Sequence, residues 1–177
     1  IVSVDLENGN REFISSTTQT DTLGSGTSFS EIRNLSVDSN SQRIWATDNN
    51  LGKIFEIDIA NGNRTLVNQS YQTGSQVIQK PTGITFDEQS NSLIVSDIFN
   101  DSAQKLSLSD YSVTMLGNKI LKNGAKVEKP TALTLNTKTN KIYTIDSLLK
   151  AIIEWDITTG DSQVLSKLFT GQGINFS

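Results

Sequence analysis

Apolar and polar residues alternate at period two along the chain in short runs, and the runs are separated by clusters of Asn, Asp, Gly and Ser. Alternation of this kind marks a strand with one face buried, and the clusters carry turn chemistry. Between residues 34 and 67 the runs fall at 34–38, 43–47, 53–58 and 64–67, which predicts four strands joined in sequence order. The pattern then repeats. Arg43-Ile44-Trp45-Ala46-Thr47-Asp48 returns as Ser92-Leu93-Ile94-Val95-Ser96-Asp97 and as Lys141-Ile142-Tyr143-Thr144-Ile145-Asp146, so the terminal aspartates stand 49 residues apart. Lys80-Pro81-Thr82-Gly83-Ile84-Thr85-Phe86-Asp87 returns at the same spacing as Lys129-Pro130-Thr131-Ala132-Leu133-Thr134-Leu135-Asn136. Two independent segments with one period define a structural repeat. The last hairpin of each unit is expected to turn through two residues of the primed type at Asn61-Gly62, as at Asn8-Gly9 and Thr159-Gly160, with Ser109-Asp110 departing from the pattern.

A single four-stranded meander cannot bury both of its faces, so neighbouring units must supply the second. Stacking such units about an axis gives a β-propeller, and the expected fold class is all-β. The best helical candidate, 148–155, is rich in β-branched residues and sits where the other units place a strand. The expected blades run over about 31–70, 80–118 and 129–168, all in one domain. Residues 1–6 and 12–15 match the third and fourth strands of a further blade, giving a partial blade at 1–16. Gly173-Ile174-Asn175-Phe176 matches a first strand, giving another at 171–177. These partial ends lack a second strand between them. Part of a ring is thus expected, to be completed by missing blades or by edge pairing with another chain.

Composition narrows the chemistry. The chain of 177 residues has no Cys and no His, which removes thiolate and imidazole ligands, thiol nucleophiles and any His-based triad. A net charge of −4 gives no basic footprint for nucleic acid, and no apolar run is long enough to insert in a membrane as a helix. Abundant Asn, Ser and Thr beside few Lys and Arg lean towards an exported protein, extracellular or periplasmic. The chain opens at Ile1, already within an expected strand, as a mature or trimmed product would. Five N-x-S/T triplets, at Asn34, Asn63, Asn68, Asn100 and Asn175, are close to the roughly four that chance supplies and so do not argue for glycosylation. Leu23-Gly24-Ser25-Gly26 lacks the Lys and the helix of a phosphate loop.

The Pro-Thr-Gly-Ile-Thr-Phe-Asp run at 81–87, followed by Leu93-Ile94-Val95-Ser96-Asp97, resembles the repeat of six-bladed propellers of the NHL, YWTD and senescence-marker/gluconolactonase kinds. The resemblance spans nearly the whole chain and implies a ring of about six blades. For the gluconolactonase-like group it implies a divalent cation in the central channel, held by a Glu, Asn residues and an Asp. Asp146, in Ile142-Tyr143-Thr144-Ile145-Asp146-Ser147, is similar to the Asp of that set. Oxygen-only coordination would suit calcium. The Asn that this group carries before the Gly of the first strand is replaced here by Arg33, Thr82 and Thr131.

Two function classes follow. In the first the chain is a binding or interaction platform without a cofactor, its ligand a protein, peptide or glycan held by loops at one mouth of the channel. Those loops contribute Arg33, Asn49, Asn50, Lys80, Phe99, Asn100, Lys129 and Leu148. In the second the chain belongs to a calcium-dependent lactonase-type hydrolase, with Asp146 as one ligand. The recurrence of Asp48, Asp97 and Asp146 at every blade favours a structural cap over a metal ring. Trp45, Tyr143 and Trp155 lie within strands and read as core.

Overall fold

The computed structural model describes all residues except 19–21, 39, 68–76, 117–120, 122–125 and 168–177; the expected C-terminal partial blade lies outside the described residues. Strands β1 (Val2–Val4) and β2 (Arg11–Phe13) form a hairpin, and β3 (Ser16–Thr17) and β4 (Thr22–Leu23) a second, smaller one. Three four-stranded antiparallel sheets follow. The first holds β5 (Ile32–Asp38), β6 (Arg43–Asp48), β7 (Lys53–Asp58) and β8 (Arg64–Leu66). The second holds β9 (Pro81–Asp87), β10 (Ser92–Asp97), β11 (Ser102–Ser107) and β12 (Val113–Leu116). The third holds β13 (Pro130–Asn136), β14 (Lys141–Asp146), β15 (Ala151–Asp156) and β16 (Ser162–Lys167). Each sheet is ordered as the chain runs, and the described residues include no helix. The segment 148–155, where helix and strand competed, is a turn entering β15, because Ile152 and Ile153 pack in opposite directions on a pleated surface.

The core lies between sheets. Trp45, Ile54, Val67 and Ile78 meet Ile84, Leu93, Val95 and Leu106 between the first and second sheets, where the Trp45 and Phe86 rings stand 4.6 Å apart. One period on, Ile94, Ala103, Leu116 and Val127 meet Leu133, Ile142 and Trp155. Ile44, Ala46, Phe55 and Ile57, on the far side of the first sheet, are packed by Ile1, Ile14 and Phe29. Each fully buried side chain of this size contributes about 1.5–3 kcal/mol relative to exposure. Gly83 permits the closest approach of two innermost strands: a Cβ there would sit 2.8 Å from the Leu133 amide nitrogen.

The hairpins depart from the two-residue turn expected from the sequence. Ten turns instead share a five-residue form that opens on Asp, Asn or Ser and places the fifth residue at positive φ: Gly9, Gln42, Gly52, Gly62, Asn91, Asp101, Tyr111, Asn140, Lys150 and Gly160. At Asp38, Asp97, Asn136, Asp146 and Asp156 the opening side chain accepts backbone N–H groups two and three residues on, as Asp156 Oδ1 does from Thr158 and Thr159 at 2.9 and 3.1 Å. This capping satisfies donors that the two-residue turn would leave to water. It also keeps the Asp156 carboxyl below the ordinary carboxylate range. Non-glycine residues in the left-handed region are strained by about 1 kcal/mol. Lys150, exposed and at φ +50°, is therefore expected to gain roughly 0.5–1 kcal/mol on replacement by glycine, read as a higher urea midpoint at unchanged slope.

Candidate functional site

Asp48, Asp97 and Asp146 close the inner hairpins and are fully buried. In each, one carboxylate oxygen accepts two N–H groups from the loop entering the first strand: Ser30 and Glu31 at 2.6 and 3.0 Å, Gln79 and Lys80 at 2.6 and 3.2 Å, Glu128 and Lys129 at 2.8 and 3.1 Å. The other oxygen accepts from the turn that follows, as from Phe99 and Asn100 on Asp97 and from Leu148 and Leu149 on Asp146. Asp146 thus accepts four backbone donors, about the full capacity of a carboxylate. A cation bound there would have to displace them. The three aspartates clamp the two mouth loops of each sheet together.

Beside each clamp the first strand carries a bulge. Ile32 pairs with Asp48 and Asn34 with Thr47, leaving Arg33 as an extra residue. Thr131 is the extra residue between Pro130 and Ala132. The same slip falls between Pro81 and Ile84 in the second sheet, at Thr82. A bulge takes a side chain out of the pleat and re-aims it. Arg33, Thr82 and Thr131 occupy one repeat position and line one cavity of about 370 Å³. Asn49, Ile98 and Ser147, again one residue from each sheet at one position, line it too, with Asn34, Ala132 and Lys129. A cavity walled by equivalent residues of successive repeats lies at their common axis.

Of the eight loop residues expected to bind, the cavity brings together Arg33, Asn49 and Lys129. Lys80 is exposed and outside its wall. Phe99 and Leu148 are exposed at the same turn position of adjacent sheets. The two other amides serve the loops: Asn50 Nδ2 donates to Ser30 Oγ at 2.8 Å and Asn100 Nδ2 to the Val77 carbonyl at 2.7 Å. Asn49 Nδ2 also reaches the Pro81 carbonyl, at 3.3 Å. Arg33 is held by Glu31 at 2.5 Å, both half exposed. The lining includes two cations and no carboxylate. Thr82 Oγ1 donates to the Pro130 carbonyl at 2.9 Å and so ties the second sheet to the third at the axis. Among the described residues, no three or more His, Cys, Asp or Glu side chains group to hold a metal.

No family profile matches the chain, and no curated protein matches its sequence. Solved structures do match. The nidogen β-propeller from the nidogen–laminin complex superposes at a TM-score of 0.66 over 90% of this chain, with 18% identity. The chain has a β-propeller fold. Its three four-stranded sheets are complete blades, and β1–β2 is the outer half of another. A protein of Bacteroides thetaiotaomicron, described as of unknown function, matches at a TM-score of 0.59 over 77% of the chain, with 17% identity. The chain spans 52% of the nidogen chain and 36% of the Bacteroides one. The axial cavity is therefore the mouth of the propeller channel, walled by three blades.

Proposed function

We propose that the chain is part of an exported six-bladed propeller that binds an acidic segment of a partner protein at the channel mouth, without catalysis and without a cofactor. The bulge carries this reading: it delivers Arg33 to the same cavity as Lys129, with Thr82 and Thr131 between them as hydroxyl groups. Lys129, with Arg33 beside it shared with Glu31, favours a carboxylate and opposes a divalent ion in a partly enclosed polar site. Phe99 and Leu148 offer apolar contact beside the cavity, the arrangement of a rim that excludes water around a charged anchor. The nidogen propeller that this chain resembles was likewise solved in a complex with another protein, laminin. The sugar-acid lactone and calcium alternative requires Asp146 as a ligand, and that carboxylate is already saturated by backbone donors.

The test uses a glutamate-rich peptide and its glutamine counterpart as probes in fluorescence anisotropy. The acidic peptide is expected to bind with an affinity that falls with salt, and Arg33→Glu with Lys129→Glu to weaken it at least about tenfold. Equal binding of both peptides, or equal binding by the charge-reversed variant, overturns the reading. Calcium binding that is strengthened by Arg33→Glu and lost in Asp146→Asn would replace it with the hydrolase.

A further inference from the structure

The buried aspartates of the second and third blades each fix a pair of side chains on the mouth. Asp97 accepts from the Lys80 amide at 3.2 Å with one oxygen and from the Phe99 amide at 2.8 Å with the other. Asp146 does the same for Lys129 and Leu148, at 3.1 and 3.0 Å. The loops are joined again through the backbone, the Ile98 amide donating to the Lys80 carbonyl and the Ser147 amide to the Lys129 carbonyl, both at 3.1 Å. Each lysine is therefore held by its main chain next to an apolar residue that opens to solvent. Phe99 is 59% exposed and Leu148 61%. Phe99 belongs to the blade that has a neighbour on either side, so its exposure is a property of the mouth.

The first blade departs from this. Glu31 stands at the position of the two lysines and Asn50 at that of the two apolar residues. Asp48 accepts from the Leu51 amide, one residue later, while Asn50 Nδ2 donates to Ser30 Oγ. On the described mouth loops of the other two blades, Lys126 pairs with Asp101 at 3.7 Å. With that pair set aside, Lys80 on the second blade, and Lys129 and Lys150 against Glu128 on the third, leave a surplus of cation beside each apolar side chain.

We propose that this doubled lysine–apolar pair reads a doubled motif: the acidic partner segment carries two acidic–apolar pairs in succession, one seated on the second blade and one on the third. The inference rests on the acidic reading above and adds to it the pattern of the segment and the blades that bind it. Charge selects the acidic residues and the exposed rings and methyls select their apolar neighbours. One exposed ion pair contributes little alone. Two joined pairs gain because seating the first makes the second intramolecular. The clamps hold the backbone of both loops in advance, which lowers the ordering cost of binding.

Fluorescence anisotropy tests this with a peptide carrying a single Glu-Leu pair and a peptide carrying two, joined by Gly-Ser spacers of graded length. At the best spacer the doubled peptide is expected to bind at least about tenfold tighter than the single one, and to lose that gain when its leucines are replaced by serine. Phe99→Ser and Leu148→Ser lie at exposed positions, so circular dichroism should be unchanged. Each should return the doubled peptide to the affinity of the single one, whereas Asn50→Ser in the first blade should leave it as it was. A doubled peptide that binds no tighter than the single one at every spacer, or that is indifferent to both Phe99→Ser and Leu148→Ser, overturns the doubled motif. Salt-dependent binding of the glutamate-rich peptide would in that case leave the simpler acidic reading standing, and failure of that peptide to bind overturns both.

Discussion

Asp97→Ala is expected to lower the stability of the fold by about 3 kcal/mol, because it leaves up to four part-buried backbone donors without their acceptor. Asp97 sits in the central blade, fully buried, and its two oxygens supply four of the hydrogen bonds that hold the loop entering β9 against the turn between β10 and β11. Alanine keeps the backbone geometry available and removes every one of those bonds. Asp97→Asn is the informative companion. Its amide oxygen can replace one carboxylate oxygen, but its NH2 group would face N–H groups that also donate, so about half of the loss should remain. Urea titration followed by tryptophan fluorescence measures both, since Trp45 lies in the adjacent interface. A cost below about 1 kcal/mol for the alanine variant would show that the clamps are not what hold the mouth loops.

Arg64→Met is expected to cost a further large amount, about 3 kcal/mol, through a different mechanism. Arg64 lies on β8 with only 6% of its surface exposed. Its guanidinium donates to the carbonyls of Leu23, Gly24, Thr27 and Gly62 and to Ser15 Oγ, and it stands 5.2 Å from the Phe29 ring. These acceptors belong mostly to the segment 15–27, so one side chain holds that segment against the outer edge of the first blade. Burial lowers the Arg64 pKa, yet the group remains charged through the working pH range. Methionine matches the stem and removes all five donors, leaving several carbonyls unpartnered. Differential hydrogen exchange reads the result locally: amides of 15–27 and 62–66 should lose protection before those of β9–β16. Uniform loss of protection across the chain would instead place Arg64 in the global folding unit.

Much of the architecture was legible because a repeat writes itself more than once. The 49-residue period and the alternation within it located all twelve strands of the complete blades, and a strand that is ambiguous alone, such as 151–156, is fixed by its counterparts at 53–58 and 102–107. The turns were misread for a physical reason. Asn-Gly is the signature of a two-residue turn only when both residues take positive φ, and here Gly62 does so while Asn61 does not. The Asp58 side chain three residues earlier had already captured the Ala60 amide and set a longer turn. Nor did the Gly24-Ser25-Gly26 run disclose its role. A Cβ on Gly26 would lie 2.1 Å from the Arg64 carbonyl oxygen, because this stretch crosses the edge of β8 at backbone contact distance. Such a crossing is a tertiary fact, invisible in local pattern.

The candidate cavity was legible in part. Arg33, Asn49 and Lys129 of its lining were named by reasoning about loops, but Thr82 and Thr131 entered only as places where an expected amide ligand is absent. They could have been found by asking what the other blades carry at the position of Arg33. Gln104 shows the opposite limit. It occupies the position of Phe55 and Ile153, fully buried, with neither amide atom hydrogen-bonded. The repeat predicts an apolar residue there.

The bulge at the start of each blade separates two tasks that a regular strand would combine. A residue in register must pack against the neighbouring blade, and its identity is constrained by that neighbour. Arg33 and Thr131 stand outside the register, so each can change chemistry without disturbing the stack, whereas Thr82 at the same position also ties its blade to the next through the Pro130 carbonyl. The first and third blades are in this sense holders for interchangeable letters. Altering what the channel reads would require only those letters to be rewritten.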